Sequence, residues 1–379
     1  MLNYSIKNKT LAGIYIHIPF CKSACHYCNF HFSTSLRYKN ELLNALLKEI
    51  ELQQDFPGLN KINSLYFGGG TPSLLENSEI LDLISRIKKY FDLQPGAEIT
   101  LEANPDDITE EKLQGWKSAG INRLSIGIQS FFEEDLRWMN RAHNAVQAET
   151  ALQLALQYFD NITIDLIYGT PGLTDERWKI NVDRAIAAGV PHLSCYALTV
   201  EPKTPLDKLI RKEQYENVNP DQQSAQFLLL MDWLEAAGYE HYEISNFAKP
   251  GRRSRHNSSY WQNQPYLGLG PSAHSFTGTE RQWNIANNNT YITALEENRI
   301  PFEKEVLTET QRLNEYIMTS LRTMEGLNLA LIPEASRLII EKGAGKFLDN
   351  GLLIRVNESL MLTKEGKLLA DGIASDLFF

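Results

Sequence analysis

The chain has 379 residues, 43% of them hydrophobic, enough for one large domain and a small one. A formal net charge of −10 argues against a general nucleic-acid binder, whose affinity rests on excess Lys and Arg, and against broad adsorption to anionic membranes. Residues 1–10 lack the apolar core of a signal peptide, and no apolar run approaches membrane-spanning length, Phe227 to Met231 being typical of the longest. The expected compartment is a reducing cytoplasm, which suits four cysteines; weak peripheral membrane contact and homodimerisation stay open.

Leu11 to Ile18 reads as a short apolar strand, ended by Pro19, which removes a ladder donor. Cys21, Cys25 and Cys28 follow on a loop. Leu36 to Leu52 has apolar residues at helical spacing, and Ile62 to Phe67 is a second strand running into Gly68-Gly69-Gly70-Thr71-Pro72. The alternation continues with helix Ser78–Phe91, strand Glu98–Glu102, helix Thr109–Ala119 and strand Arg123–Ile128. Helices Glu133–Met139 and Asn144–Tyr158, strand Asn161–Ile167, helix Asp175–Ala188 and strand His192–Leu198 complete it.

This α/β pattern predicts a parallel sheet with right-handed crossovers, closed or partial as a (β/α)6 barrel over residues 1–220. A doubly wound open sheet would line up the same loops at one edge, and periodicity does not decide between the two. In either case the unusual motifs share a face. The cysteine loop follows the first strand, Gly68 to Thr71 the second, Glu102-Ala103-Asn104-Pro105 the third and Gln129 the fourth, with Asp165 near the end of the fifth.

Gln222 to Ala237 reads as a further helix, and the Asn-rich, aromatic stretch Tyr239–Thr290 completes an extension over 221–300. Residues 301–379 read as a separate helical and β-hairpin module resembling a winged helix: helices Thr308–Thr323 and Ile332–Lys342, strands Gly351–Val356 and Leu360–Thr363, and a last helix Glu365–Leu377. It has no basic excess, so a lid or docking surface is expected rather than DNA binding.

Three thiolates in eight positions share a metal centre, because soft sulfur ligands select iron–sulfur clusters, zinc or copper(I). No fourth cysteine lies nearby, so a [4Fe–4S] cluster on Cys21, Cys25 and Cys28 would keep one iron open, and a closed zinc site would recruit His26 or His31. Three close cysteines do not pair evenly into disulfides. Cys195, alone in a strand, reads as a buried structural thiol.

Cys-x3-Cys-x2-Cys with Tyr27 before the third cysteine resembles the radical S-adenosylmethionine (SAM) superfamily. The resemblance implies that the open iron chelates SAM through its amino and carboxylate groups, and that reduction can cleave SAM to a 5′-deoxyadenosyl radical. Tyr15-Ile-His-Ile-Pro-Phe-Cys, Phe67-Gly-Gly-Gly-Thr-Pro-Ser, Arg123-Leu-Ser-Ile-Gly-Ile-Gln-Ser-Phe, Asn140-Arg141 and Ile164-Asp165-Leu-Ile-Tyr-Gly are similar to one branch of it. That branch holds the oxygen-independent coproporphyrinogen III oxidases and their close relatives, the HemW heme chaperones. By this resemblance Tyr15, Gly69, Gly70, Thr71, Glu102, Gln129, Arg141, Asp165 and Ala197 line the SAM site, and Tyr27 packs near the cluster.

The decarboxylating oxidases carry a further cysteine two residues after the third, where this chain has Phe30, and a longer segment before the first strand. His256-Asn257-Ser-Ser-Tyr260-Trp261, after Arg252, Arg253 and Arg255, resembles the heme-associated motif of the chaperones. On the residues alone His256 reads first as a hydrogen-bonded surface or core histidine; as a heme site, the histidine would ligate iron, the aromatics pack on the porphyrin and the arginines pair with propionates. The resemblance implies a chaperone that binds the cluster, SAM and heme and passes heme to heme-accepting proteins, with a coproporphyrinogen III oxidase as the alternative.

Overall fold

A computed structural model describes residues 12–379; the expectations for residues 1–10 and for Leu11 fall outside the described residues. Six parallel strands lie side by side in chain order: β1 (Ala12–Ile18), β2 (Ile62–Gly69), β3 (Leu93–Ala103), β4 (Arg123–Gln129), β5 (Ile162–Tyr168) and β6 (His192–Ala197). Every residue of β4 is buried, as expected of a parallel strand covered on both faces.

The crossovers are α1 (Lys39–Leu52), α2 (Asn77–Tyr90), α3 (Glu110–Ala119), the pair α4 (Glu133–Trp138) and α5 (Ala145–Tyr158), and α6 (Asp175–Ala187). In α2, Ile80, Leu83, Ile84 and Ile87 form one buried stripe at helical spacing. Helix α5 starts at Asn144, whose side chain accepts from the Gln147 amide while Gln147 reaches back, closing a capping box. Helix α3 stops at Gly120, whose φ of 103° is the left-handed cap glycine adopts without strain.

After β6 come α7 (Pro205–Arg211), α8 (Pro220–Ala236), β7 (Glu240–Glu243), β8 (Asn246–Ala248), α9 (Arg255–Trp261), β9 (Tyr266–Leu269), β10 (His274–Phe276), β11 (Glu280–Asn284), α10 (Asn288–Glu296) and β12 (Phe302–Val306). These strands extend both edges of the sheet. β8 pairs antiparallel with β6 and carries β7, while β9 pairs parallel with β1 and leads to β10, β11 and β12. β12 and β7 end the twelve-stranded sheet as separate edges, so the barrel is partial rather than closed. Within the stretch Tyr239–Thr290 the sequence reading assigned no elements, because strands of three to five residues are too short for a period to register.

A second apolar core, including Ile317, Leu321, Leu327, Leu353, Leu360 and Ile373, forms around α11 (Glu309–Leu321), β13 (Leu327–Asn328), α12 (Glu334–Asp349), β14 (Leu353–Val356), β15 (Ser359–Leu362), α13 (Lys364–Lys367) and α14 (Ala370–Asp376). The expected hairpin is present, with β13 as its third strand. Helix α12 runs past Lys342 through two glycines because Ile340 and Ala344 bury against that core. The single last helix expected is instead two, with the break after Lys367; Gly366 sits so tightly against the Leu352 carbonyl that a Cβ there would collide with it. Among the described residues no helix is long and apolar enough to cross a membrane.

Candidate functional site

The strands end on one face, and the cysteine loop leaves β1 there. Its neck is pinched by two backbone bonds, Ser33 N–H to the Pro19 carbonyl at 2.8 Å and Cys21 N–H to the Ser33 carbonyl at 3.0 Å. Cys21, Cys25 and Cys28 are free thiols, all partly exposed. Thr71 Oγ1 donates to Cys21 Sγ at 3.5 Å, and Arg141 Nη1 donates to Cys25 Sγ at 3.3 Å and to the Tyr27 hydroxyl at 3.4 Å. Arg141 Nη2 donates to Asn104 Oδ1 at 2.7 Å and to the Gly127 carbonyl at 3.0 Å, and Asn104 Nδ2 donates to Thr71 Oγ1 at 3.2 Å. A hydrogen-bonded line therefore runs Cys21–Thr71–Asn104–Arg141–Cys25, joining the cysteine loop to the loops after β2, β3 and β4.

Asn104 is the member the sequence reading did not single out. An Asn before Pro reads equally as ordinary turn chemistry.

These residues suit an iron–sulfur cluster. The donor set is three soft thiols, two of them facing hydrogen-bond donors, beside a glycine cradle with no room for side chains. A Cβ on Gly69, whose φ is 113°, would come within 2.6 Å of the His17 ring, and one on Gly70 within 2.6 Å of the Phe20 carbonyl. Burial pushes Cys21 up to about 11 and Cys28 upward, so binding a cationic centre through Cys21 would release a proton. The histidines considered for zinc have other partners: His26 Nδ1 bonds the Trp138 carbonyl at 2.9 Å, and His31 Nε2 bonds Asn288 Oδ1 at 2.7 Å.

Beside the cradle, Glu102 accepts from the Tyr66 hydroxyl at 2.8 Å and from Gly69 N–H at 3.2 Å. Tyr15 stacks on Tyr66 at 6.0 Å and bonds His17 Nδ1 at 3.2 Å. Gln129 ends β4 at a φ of 65°, and Ala197 ends β6 beside Tyr168 of β5. Asp165 lies on the same face, and its charge opposes ionisation of Glu102. The face thus gathers the cysteines, Tyr15, Tyr27, Gly69, Gly70, Thr71, Glu102 and Arg141 by direct contact, with Gln129, Asp165 and Ala197 further along the strand ends.

Burial raises Glu102 to about 7 and Asp165 to about 6. A carboxyl raised in the folded state favours folding fully below its unfolded pKa, and that contribution is lost as pH rises through the folded value. The Glu102 contribution to stability should therefore fall between about pH 4.5 and pH 7, opposite in sign to that of the buried histidines, and Glu102→Gln should shift the pH slope of stability by removing it. Denaturant titrations at several pH values check this; an unchanged slope in the variant would refute it.

The His256 segment has a different setting. Helix α9 is held at its start by the buried Glu98, which accepts from Arg255 N–H at 3.1 Å and His256 N–H at 3.0 Å. The His256 ring, 1% exposed, bonds Ser64 Oγ through Nδ1 at 2.8 Å and the Tyr260 hydroxyl through Nε2 at 2.7 Å. Neither nitrogen is open to iron in this arrangement. Asn257 N–H donates to the cap Ser254, and Trp261 packs under the Arg322 guanidinium at 5.5 Å. The arginines are also engaged: Arg252 with Asp160, Arg253 with Glu240 and Glu325, and Arg255 with Glu98. Of the four heme candidates, Tyr260 alone lines the cavity of about 600 Å³ between the cysteine loop, β9–β11 and α11.

Comparison with known proteins agrees with this geometry. The Radical SAM superfamily profile matches residues 15–185, and the HemN C-terminal domain profile matches 307–369. The chain is 35% identical over 371 residues to the heme chaperone HemW of Mycobacterium tuberculosis, covering 96% of this chain and 94% of that one. It is 35% identical over 384 residues to heme chaperone HemW of Bacillus subtilis, covering 96% and 98%. In fold it is similar to the coproporphyrinogen III oxidase HemN of Escherichia coli, with a TM-score of 0.83 at 23% identity over 98% of this chain and 90% of that one. The cysteine-bearing partial barrel, the C-terminal module and near full-length identity to these relatives place the chain in the HemW family of radical SAM proteins.

Proposed function

We propose that this chain is a cytoplasmic heme chaperone, which holds a [4Fe–4S] cluster on Cys21, Cys25 and Cys28, binds SAM beside it, and passes heme to acceptor hemoproteins. The observation that carries the cluster and SAM part is the line Cys21–Thr71–Asn104–Arg141–Cys25. When bound, the cluster supplies an open iron for the amino-acid end of SAM. The chain's own residues do the rest. The Arg141 guanidinium offsets thiolate charge, the Gly69–Gly70 backbone admits a ligand closely, and Glu102 offers an acceptor to an ammonium or ribose hydroxyl. Tyr15, Gln129, Asp165 and Ala197 complete the walls, and Tyr27 packs against the cluster side.

The heme part rests on the names of the HemW relatives and on the His256–Trp261 motif. The coproporphyrinogen III oxidase reading is disfavoured by Phe30, which stands where those enzymes carry a further cysteine.

Anaerobic reconstitution tests the first part: iron and sulfide should reach a four-iron stoichiometry, and SAM should change the electron paramagnetic resonance spectrum of the reduced protein. Asn104→Ala, which cuts the line at its middle, should weaken that response to SAM and destabilise the loop by about 1–2 kcal/mol. An unchanged spectrum and stability would remove Asn104 from the site. Saturable one-to-one hemin binding tests the second part, and its absence would sink the chaperone reading.

A further inference from the structure

We propose that the cavity between the cysteine loop, β9–β11 and α11 is the seat of the heme, and that His274, rather than His256, gives the axial nitrogen to its iron. This rests on the reading that the chain binds heme. The cavity of about 600 Å³ falls in the range of roughly 300–1,000 Å³ that small-molecule and cofactor sites occupy. Its walls suit a flat macrocycle with an iron centre. Phe30, Tyr260, Tyr266 and Phe276 offer aromatic surface, and Phe30 is 68% exposed, an unusual cost for a large ring with nothing to cover.

The choice of ligand follows from what each histidine already does. Three line the cavity. His17 has both ring nitrogens engaged, Nδ1 with the Tyr15 hydroxyl and Nε2 with the His31 carbonyl. His31 commits Nε2, the nitrogen farther from the backbone, to Asn288. His274 lies on β10 with its side chain exposed, and neither ring nitrogen has a hydrogen-bond partner among the described residues. The partial burial of the ring, with Arg281 nearby, lowers its pKa. Arg281, held by Glu315 at 2.7 Å, lines the same wall and has N–H groups left for a propionate. His256 acts indirectly: its bond to Tyr260 fixes one wall of the cavity.

The test is titration of full-length protein with hemin, followed by absorbance and by electron paramagnetic resonance of the ferric complex. Wild-type protein should give saturable binding with an imidazole-ligated spectrum. His274→Ala should lose that signature and bind at least about tenfold more weakly, the effect of one lost ligand bond of modest strength. Added imidazole should restore the spectrum, and His274→Met should shift it to thioether ligation, both readouts that a general loss of structure would not produce. Saturable binding with the wild-type spectrum retained in His274→Ala overturns the inference and leaves the chaperone reading standing. Loss of the signature in His256→Ala with His274→Ala unaffected also overturns it, returning the ligand to α9. Absence of saturable binding by the wild-type protein removes both.

Discussion

Replacing any one of Cys21, Cys25 or Cys28 by alanine is expected to abolish retention of a [4Fe–4S] cluster, taking iron and sulfide from four per chain to near zero. With only three protein ligands there is no spare thiol to substitute; Cys195 is buried in β6, its thiol pushed far up by burial. The fold itself should survive. The cysteine loop is anchored by backbone bonds at its neck and lies outside the main apolar core, so thermal unfolding of the cluster-free protein should move little. Iron and sulfide analysis after anaerobic reconstitution, with circular dichroism alongside, separates the two effects. A variant that keeps its full iron content would show that the three thiols are not the ligand set.

Glu98→Ala is expected to be the most destabilising single change near the site, costing about 3–5 kcal/mol. Glu98 and Arg123 are both almost fully buried, with Arg123 Nε 4.0 Å from a Glu98 oxygen. The same carboxylate accepts from the Arg255 and His256 amides at the start of α9. Removing it strands a buried guanidinium and two amide donors at once, while leaving Thr163 as a partner of Arg123. Glu98→Gln, which keeps one acceptor, should fall between the variant and wild type. Denaturant midpoints measure the loss; a change below about 1 kcal/mol would mean that α9 is held by its packing on Tyr66 and Ser64 rather than by Glu98. If α9 loosens, Tyr260 loses its fixed position and hemin affinity should drop with stability.

Much of the barrel was legible from local signals. Alternating apolar runs and amphipathic stretches located β1 to β6 and their crossovers, since each needs only its own periodicity and the proline, glycine or capping residue at its end. The cysteine triplet was equally visible, because three thiols in eight positions point to a soft-metal centre without reference to a fold. The strands β7 to β11 were not legible. They are short, they mix polar, aromatic and aliphatic residues without a period, and their strand character comes from pairing with the open edges of a sheet built elsewhere in the chain.

The sequence by itself determined the thiol donor set, the succession of strands and crossovers along the chain and the family resemblance, all of which are written in residue identity and spacing over a few positions. Tertiary structure alone decided which partners meet across long separations. It placed Asn104 between Thr71 and Arg141, closed His256 between Ser64 and Tyr260, and left the His274 ring without a hydrogen-bonded partner among the described residues. The physical reason is that periodicity encodes which face of an element is apolar, whereas the neighbour a polar group finds depends on how distant segments pack, and that choice sets whether a histidine is a buried strut or an open ligand.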